Sequence, residues 1–384
     1  MKNIVILATG GTIAGAGEQG KDIGYKSGSI KAQTLIDAIP ELKNVANVFV
    51  EQVCNINSDD ITSEIWILLA RRIKELSENG FGTSHENVDG FVIMHGTDTM
   101  EETAFFLSLT LGGFAPNVAG ESMDCAGVVG NAAGNAAKPV ILTGSMRPAT
   151  AAEPDGPANL LFAVKSAVSC SPHELSCPPL SGHLPLVNAK NATSSWSNAT
   201  GSSAVYVAFA GKLMDARSVQ KIHANDLDAF AEISPELSCP PPSGHLLLAN
   251  AKKAFDISSL RSLPKVSVLY FHADADASLI SFAAERSAGI VIAGAGAGEF
   301  SQSWAAAIAE IVAQKKIPVV ISTRINRGCI VPEQLLVPGT IAAYDLPPAK
   351  AAVLLRLALT VTNDSAKIQE FFLCTSVILE SEAR

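Results

Sequence analysis

Two short segments bring together the side chains with which this chain could act on a polar ligand. Thr9-Gly10-Gly11-Thr12 follows an apolar run, and its paired glycines permit a tight turn that presents hydroxyl and backbone N–H groups. His95-Gly96-Thr97-Asp98-Thr99 joins hydroxyls and a carboxylate to a helix start, where developing oxyanions are favoured. The first segment predicts small-molecule binding and the second predicts stabilisation of negative charge. Each also has a plain structural explanation, as a turn and as a helix cap.

The spacing of the glycine and histidine residues disfavours nucleotide binding and catalysis by a histidine base. The first turn is not G-x-G-x-x-G, and a Gly-Lys-Ser/Thr phosphate loop is absent from the sequence. Gly294-Ala-Gly296-Ala-Gly298 is predicted to serve close packing of the backbone rather than nucleotide binding. Because no Ser-His-Asp order or His-x-x-x-His spacing accompanies His95, we expect it to be a packed strand-end residue rather than a base.

The elements that carry these segments alternate between short β-branched runs and helical stretches. This alternation predicts an α/β fold, with a larger N-terminal doubly wound, mainly parallel sheet domain and a smaller C-terminal α/β domain. Ligands of such sheets bind at the carboxyl ends of strands, where Thr9–Thr12, His95–Thr99 and Gly144–Pro148 fall. A capping-box pattern predicts a helix over Met100–Leu109. The predicted strands are Ile4–Ala8, Val48–Val53, Phe91–Met94, Val140–Thr143, Val205–Ala208, Val266–Tyr270, Ile290–Ala293 and Val319–Ile321. Another helix is predicted by apolar residues at helical spacing, namely Ile65, Leu68, Leu69, Ile73 and Leu76.

Length and charge exclude several classes of protein. A chain of 384 residues with 48% hydrophobic and 17% charged residues can fold into two domains and lacks the signature of disorder. A net charge of −9 disfavours nucleic acids and anionic membrane surfaces as partners. The Met1-Lys2 start lacks a signal-peptide pattern, and no uncharged apolar run reaches about 18 residues. A cytoplasmic location is therefore predicted, with the periplasm as the alternative if a leader was removed.

The seven cysteines are scattered and include no C-x-x-C pair, which predicts a reducing compartment rather than a disulfide framework or a zinc ribbon. One repeat is visible, because Glu174–Leu184 returns as Glu236–Leu246 with one Cys and one His in each copy. The C-x5-H spacing is unusual for zinc, so a duplicated surface insertion is predicted.

The predicted domain boundaries follow a change in composition. A Pro/Ser-rich stretch around Leu237–Gly244 precedes a fresh strand-helix series. The expected division is an N-terminal domain over residues 1–240, a linker over 241–262 and a C-terminal domain over 263–384. Gly112–Ala137 and Ser169–Ser203 are rich in small and polar residues and are predicted to be inserted loops.

Ala8–Gly15 and Ile93–Leu109 together resemble the bacterial-type L-asparaginase family, whose corresponding loops are T-G-G-T-I-A and H-G-T-D-T-M-E-E-T-A-F-F-L. The resemblance covers most of the chain apart from the insertions, the linker, part of the stretch after Arg324 and the tail after Phe372. It implies hydrolysis of L-asparagine to L-aspartate and ammonia. The other similar segments are Glu51–Ser58, Lys138–Pro148, Asp155–Leu160, Asp215–Lys221 and Ala349–Asp364.

The resemblance implies a catalytic role for five residues. Thr12 is the implied nucleophile on the side-chain amide, and Tyr25 on the same loop helps to activate it. Thr97, Asp98 and Lys221 are the implied second group, in which a lysine beside a carboxylate relays protons. Such help is needed because a threonine hydroxyl is a poor nucleophile until a base takes its proton. No metal or organic cofactor is implied.

Substrate contacts are implied in the same way. Ser58 and Thr97 correspond to partners of the α-carboxylate, and Asp98 corresponds to a partner of the α-ammonium. The backbone carbonyl of Ser145 corresponds to the position that meets the scissile amide. Asp59 stands where relatives often have Gln or Glu, and this shorter acid is expected to reach the ammonium poorly.

Two more residues correspond to the family's ammonium site, which is completed by the C-terminal domain and by a glutamate of the neighbouring subunit. Asp274 and Glu333 are their counterparts, although the sequence diverges from the family through Asn326–Ile330. The resemblance therefore implies a homo-oligomer, a dimer of dimers.

Alternatives to an asparaginase remain at this point. One is a glutaminase-asparaginase, since the two amides differ by one methylene worth only about 1–3 kcal/mol. A transamidation subunit acting on glutamine carried by tRNA is disfavoured by the acidic charge. The third is a family member that binds an amino acid without turning it over, which the insertions and the divergent stretch after Arg324 would favour.

Overall fold

The computed structural model describes residues 1–21, 26, 28–111, 128–130, 138–170, 204–233 and 253–375. The chain divides into two compact units. The N-terminal unit comprises Met1–Gly113 and Asn131–Glu232, and the C-terminal unit comprises Phe114–Gly130 and Ile233–Arg384. Each unit has its own sheet, and the sheet of the N-terminal unit is the larger, so the predicted α/β class is confirmed.

Helices and strands alternate along both units, and every predicted strand lies within an observed one. The strands are β1 (Asn3–Gly10), β2 (Asn47–Ile56), β3 (Gly90–Met94), β4 (Val128–Gly130), β5 (Val140–Thr143), β6 (Val205–Phe209), β7 (Lys212–Asp215), β8 (Val219–Lys221), β9 (Phe230–Glu232), β10 (Lys253–Phe255), β11 (Val266–Tyr270), β12 (Gly289–Gly294), β13 (Val319–Thr323) and β14 (Ile341–Ala342). The α-helices are α1 (Ala32–Asp37), α2 (Ser63–Asn79), α3 (Met100–Leu111), α4 (Gly156–Ser169), α5 (Ser278–Ala284), α6 (Gln302–Glu310), α7 (Pro348–Ala358) and α8 (Ser365–Thr375).

The sheet of the N-terminal unit has the strand order β2-β1-β3-β5-β6-β7. The first five strands are parallel, and β7 pairs antiparallel with β6. Ile4–Leu7 in β1 are fully buried, as expected for a nearly continuous apolar run in the middle of a sheet covered on both faces. Because parallel strands end at the same edge, the turns after β1, β2, β3 and β5 all lie at one edge, which positions the candidate site.

In helix α2, one apolar residue of the predicted helical repeat does not face the core. The buried stripe of α2 includes Trp66, Leu69 and Ile73, whereas Leu68 is 49% exposed. A step of two residues along a helix is a rotation of about 200° around its axis, so Leu68 faces away from Trp66.

A short antiparallel hairpin, formed by β8 and β9, stands apart from the large sheet and ends β8 at Lys221. Phe230 in β9 packs against Phe209 in β6, with 4.9 Å between the ring centroids. This aromatic contact anchors the hairpin that carries the lysine.

The C-terminal unit is built on a parallel sheet of order β11-β12-β13-β14. Trp304 of α6 is fully buried, and its indole N–H donates to the carbonyl of Ala275 at 2.9 Å. A Cβ on Gly294 would lie 2.4 Å from the carbonyl carbon of Gly298. The glycine-rich turn after β12 therefore serves close backbone packing, as predicted.

The structure describes parts of both predicted insertions and of the predicted linker. β4 pairs antiparallel with β10, so the prediction of loop throughout Gly112–Ala137 is wrong over Val128–Gly130, where two β-branched residues find a partner strand. Ser169 ends α4 rather than beginning an insertion. β10 lies inside the stretch predicted as a linker. The remainder of both insertions and both copies of the repeat lie outside the described residues.

Two of the cysteines differ in their bonding state. Cys329 takes part in a disulfide, for which the scattered cysteines give no spacing signal. Cys54 is a free thiol, and burial raises its pKa to about 11. In the described part of the chain, no helix is long and apolar enough to cross a membrane. The same residues contain no group of three or more His, Cys, Asp or Glu placed to hold a metal ion.

Candidate active site

The turn after β1 lies against the turn after β3. Gly11 has a φ of 80°, in the left-handed region that favours glycine, and its N–H donates to the carbonyl of Ile56 at 2.9 Å. A Cβ on Gly11 would lie 2.5 Å from the Cα and N atoms of Gly96, so the two turns touch through backbone atoms. Thr12 and Thr97, which directly follow these glycines, therefore lie on adjoining turns.

Thr12 begins a single 3-10 turn, in which the N–H of Gly15 donates to its carbonyl at 2.7 Å. The loop that follows returns to this turn, because the N–H of Gly28 donates to the carbonyl of Gly11 at 3.2 Å. Tyr25 lies in that loop but outside the described residues, so its activating role stays a prediction.

Gly11→Ala is expected to lower the free energy of unfolding by about 3 kcal/mol or more, against about 1 kcal/mol for Gly20→Ala. The φ angles of Gly11 and Gly20 are 80° and 82°, so an added Cβ meets backbone strain at both positions. Only at Gly11 does the Cβ also meet backbone, since nothing lies within 4 Å of it at Gly20. Urea denaturation measures both losses, and equal losses would contradict the contact between the turns.

Lys221 joins two polar residues of the turn after β3 into one hydrogen-bonded group. Its ammonium donates to Oγ1 of Thr97 at 2.9 Å and to Oδ1 of Asp98 at 2.6 Å. Thr97 is buried and the Lys221 side chain is 14% exposed, whereas the Asp98 side chain is 66% exposed. The structure thus brings this predicted trio together, with the lysine between a buried hydroxyl and an accessible carboxylate.

Glu101 is absent from the sequence-predicted site, yet it holds Lys221 from a second direction. Its Oε2 accepts the backbone N–H of Lys221 at 2.6 Å. Glu101 lies in the first turn of α3, so one continuous segment binds both the ammonium and the backbone of the lysine. The sequence did contain a signal for Glu101, because the start of α3 carries two acidic residues and a helix cap requires only one of them.

Ser58 lies beside the turn after β3. Its Oγ accepts the N–H of Asp98 at 3.2 Å, and its carbonyl accepts the Thr99 hydroxyl at 2.7 Å. A Cβ on Gly96 would lie 2.8 Å from the Cβ and Oγ of Ser58. Since the Ser58 oxygen accepts a bond from Asp98, its own proton can be donated to a ligand carboxylate. Asp59, the next residue, is exposed.

The turn after β5 is held by a carboxylate and an amide that the sequence-predicted site also lacks. Asp155 accepts the N–H groups of the two residues after Ser145, at 2.9 Å each. Asn159 donates to the carbonyl of Gly144 at 3.1 Å. A Cβ on Gly144 would lie 2.4 Å from the carbonyl oxygen of His95. The buried Ser145 therefore sits on a fixed turn that also touches the end of β3.

His95 is fully buried within a chain of polar groups behind the site. Its Nδ1 lies 2.6 Å from the Gly96 carbonyl oxygen, and its Nε2 lies 3.0 Å from Oγ1 of Thr103. The same Thr103 oxygen accepts the indole N–H of Trp66 at 2.8 Å. Burial lowers the pKa of His95 to about 4. The hydrogen bond to the Gly96 carbonyl raises this pKa, but by less than burial lowers it. His95 is therefore neutral near pH 7 and, as predicted, a packed strand-end residue.

His95 should make the protein less stable in mild acid. Because its folded-state pKa of about 4 lies below the unfolded value of about 6.5, only the unfolded chain binds a proton between these values. This contribution to the free energy of unfolding is intact above pH 6.5 and falls by about 3 kcal/mol as the pH drops toward 4. His95→Asn should remove that part of the pH dependence in urea titrations. A wild type whose free energy of unfolding changes with pH in the same way as that of His95→Asn would contradict this expectation.

Asp274 and Glu333 belong to the C-terminal unit. Asp274 is exposed in the turn after β11 and has a φ of 60°, a conformation that Asp tolerates better than most residues. Glu333 is exposed in the short 3-10 turn Pro332–Gln334. Their contacts with a substrate stay predictions.

The edge of the N-terminal sheet thus combines three chemical capabilities. Hydroxyl groups of Ser58 and Thr97 can bind a carboxylate, and the group of Thr97, Lys221 and Asp98 can move a proton. Thr12 adds a third hydroxyl on the adjoining turn. A nucleophilic attack on a small amide needs this combination of hydroxyl, proton acceptor and anion contacts.

Comparison with known proteins agrees with this chemistry. The family model described as asparaginase, N-terminal, matches residues 3–119 and 122–176, and the glutaminase/asparaginase C-terminal domain model matches residues 265–372. The probable periplasmic L-asparaginase of Haemophilus influenzae is 35% identical, covering 97% of this chain and 93% of that protein. The glutaminase-asparaginase of Pseudomonas fluorescens biotype A is 32% identical, covering 97% and 90%.

Among solved structures, a probable cytoplasmic L-asparaginase from Campylobacter jejuni superposes with a TM-score of 0.71 at 35% identity, covering 97% of this chain and 99% of that one. Relatives above 30% identity across almost the full length, together with matches to both domain models, establish that the chain belongs to the asparaginase family.

Proposed function

We propose that the chain hydrolyses L-asparagine to L-aspartate and ammonia. The observation that carries this proposal is the position of Lys221, which bonds to Thr97 and Asp98 on the turn that touches the turn of Thr12. This position supports a mechanism in which the Thr12 hydroxyl is the nucleophile and the group around Lys221 exchanges protons. Family membership supports the same reaction, because relatives carry asparaginase in their names.

In the proposed reaction, Oγ1 of Thr12 attacks the carbon of the side-chain amide while its proton passes to a neighbouring base. The C–N bond breaks, the nitrogen takes up a proton, and ammonia departs. An acyl ester then remains on Thr12. Water then cleaves that ester and releases L-aspartate. Thr97, Lys221 and Asp98 assist the proton transfers, a kind of help worth roughly 10²–10⁴ in rate, and Tyr25 assists Thr12.

Substrate orientation follows from the groups around these hydroxyls. We place the α-carboxylate at Ser58 and Thr97, and the α-ammonium at Asp98 with Asp59. The backbone carbonyl of Ser145, on the turn fixed by Asp155, meets the scissile amide. Asp274 and Glu333 complete the ammonium site, and we propose that Glu333 comes from a second copy of the chain.

Ammonia release by the purified chain tests the proposed reaction. Turnover of L-asparagine is expected, and L-glutamine assayed in parallel gives the ratio of kcat/KM values. Asparagine that binds in a calorimeter without release of ammonia would overturn the proposal and would instead indicate an amino-acid-binding protein.

A dual activity on asparagine and glutamine is the second candidate function. The glutaminase-asparaginase from Pseudomonas fluorescens is the observation that favours it. Equal kcat/KM values for the two amides would support this candidate over a strict asparaginase.

The proposed assembly is a homo-oligomer, a dimer of dimers. The edge strand β11 supports association, since Val268 and Tyr270 point to the same face of the strand and are each at least 40% exposed. Sedimentation analysis should find a species larger than the 40.0 kDa chain. A protein that is both fully active and monomeric would overturn the assignment of Glu333.

The proposed location is the cytoplasm, with the periplasm as the alternative. The named relatives include one of each. The disulfide of Cys329 favours the alternative, because disulfides persist in oxidising compartments. Fractionation of cells that express the chain separates these locations.

The proposed domains remain residues 1–240 and 263–384, and limited proteolysis within 241–262 tests that division.

A further inference from the structure

We infer that His95, Thr103 and Trp66 form a one-directional hydrogen-bond chain whose task is to orient the peptide that joins Gly96 to Thr97. This inference rests on the proposed function, because Thr97 belongs to the proposed site. The three residues are positioning residues, since none of them supplies a group to the reacting atoms.

The direction of the chain follows from what each group can do. A carbonyl oxygen only accepts, so the 2.6 Å contact to Gly96 requires the proton of neutral His95 to sit on Nδ1. Nε2 must then accept, and the Thr103 hydroxyl 3.0 Å away supplies the proton. An indole N–H only donates, so Trp66 fills the acceptor side of the same hydroxyl at 2.8 Å. Reversing any one bond would leave two donors or two acceptors facing each other.

The chain is isolated from solvent, which makes its arrangement costly to break. His95 and Thr103 are fully buried and Trp66 is 4% exposed. A buried polar group that loses its partner cannot turn to water, and the loss costs more than the net value of the bond.

The consequence reaches the site through the geometry of one peptide. All described peptide bonds are trans, so the carbonyl of Gly96 and the N–H of Thr97 point in opposite directions across a single plane. With the carbonyl held inward by His95, the Thr97 N–H points the opposite way, toward the strand-end edge. A backbone N–H there can stabilise an oxyanion on the amide under attack, and a displacement of about 1 Å near such a centre costs about 10²-fold in rate.

Two substitutions of Thr103 test the inference against a matched control. Thr103→Val removes the oxygen that Nε2 of His95 and the indole N–H of Trp66 both contact, so the imidazole ring is no longer held from its far side. We expect kcat for asparagine to fall roughly 10–100-fold with KM changed less than about threefold. Thr103→Ser keeps the hydroxyl and should rescue most of kcat. Thr110→Val removes another buried hydroxyl of α3, one that bonds only within its helix, and should leave kcat unchanged.

A second readout does not depend on turnover. Solid-state NMR of protein labelled with ¹⁵N-histidine, with His95 assigned by difference from His95→Asn, reports which ring nitrogen carries the proton. We expect Nδ1–H in the wild type and in Thr103→Ser, and in Thr103→Val a changed Nε2 chemical shift that reports the lost hydrogen bond from residue 103. An Nε2–H wild type, or a Thr103→Val variant that loses the hydrogen bond to Nε2 yet keeps kcat, would overturn the inference. If wild-type protein releases no ammonia, the proposed function fails, while the NMR result still decides the direction of the chain.

Where Thr103→Val fails to fold, a pair of His95 variants replaces it. Asn places an amide N–H near the position of Nδ1 and can still donate to Gly96, whereas Gln places its amide near Nε2. His95→Asn should therefore keep a higher kcat than His95→Gln, and the reverse order would contradict the inference.

Discussion

Thr12→Ala is expected to lower kcat for L-asparagine on the order of 10⁴-fold or more while asparagine still binds. The substitution removes the oxygen that forms the acyl ester, so no other group on the adjoining turns can replace its role in covalent catalysis. Binding should persist, because the carboxylate contacts assigned to Ser58 and Thr97 are untouched. Ammonia release measures the first effect, and calorimetry with asparagine measures the second.

Thr12→Ser is the matched variant for this experiment. Serine keeps a hydroxyl at the same point of the 3-10 turn, so measurable turnover should remain. If Thr12→Ala kept turnover near that of the wild type, Thr12 would not be the nucleophile. Loss of binding together with turnover would show that the alanine had disturbed the site as a whole.

Lys221→Met is expected to lower kcat by roughly 10²–10⁴-fold, the usual value of general acid–base help. Methionine keeps most of the side chain's volume but breaks both bonds of the ammonium, to Thr97 at 2.9 Å and to Asp98 at 2.6 Å. The backbone bond to Glu101 remains, so the end of β8 should stay in place. Steady-state kinetics with asparagine measure the loss.

Lys212→Met is the matched control, because Lys212 also makes a lysine–aspartate pair. Its ammonium lies 2.6 Å from Asp228, with the two side chains 48% and 55% exposed. Exposed pairs of this kind contribute about 0–1 kcal/mol to stability, and kcat should change less than about twofold. A similar loss of kcat in both variants would mean that Lys221 acts only through the stability of the hairpin region.

The strands and the meeting of the two threonine turns were predictable from the sequence. Each strand is a β-branched run whose end is marked by glycine or polar residues, and parallel strands bring their carboxyl ends to one edge. The convergence of Lys221 on Thr97 was expected only from the family resemblance. No periodicity connects residues 124 positions apart, and the lysine lies in a three-residue strand outside the main sheet.

The supporting contacts were harder to predict, since each depends on tertiary packing. Glu101 and Asp155 are acidic residues near helix starts, where local pattern alone assigns them to the helix dipole or cap. Their actual partners are the backbone of Lys221, 120 positions away in β8, for Glu101, and the turn of Ser145 after β5 for Asp155. The outward orientation of Leu68 shows the same limit, because an apolar residue within a helical repeat need not face the core.

The hairpin of β8 and β9 also bears on how the protein should lose activity on heating. Three-residue strands share few backbone bonds, and small units of this kind open at lower free energy than the sheets to which they are attached. Opening would withdraw the ammonium from the threonine while leaving the circular dichroism signal of the rest of the chain intact. Catalysis should then cease several degrees below the Tm, and cooling should restore it, so thermal inactivation would begin as a reversible, local event.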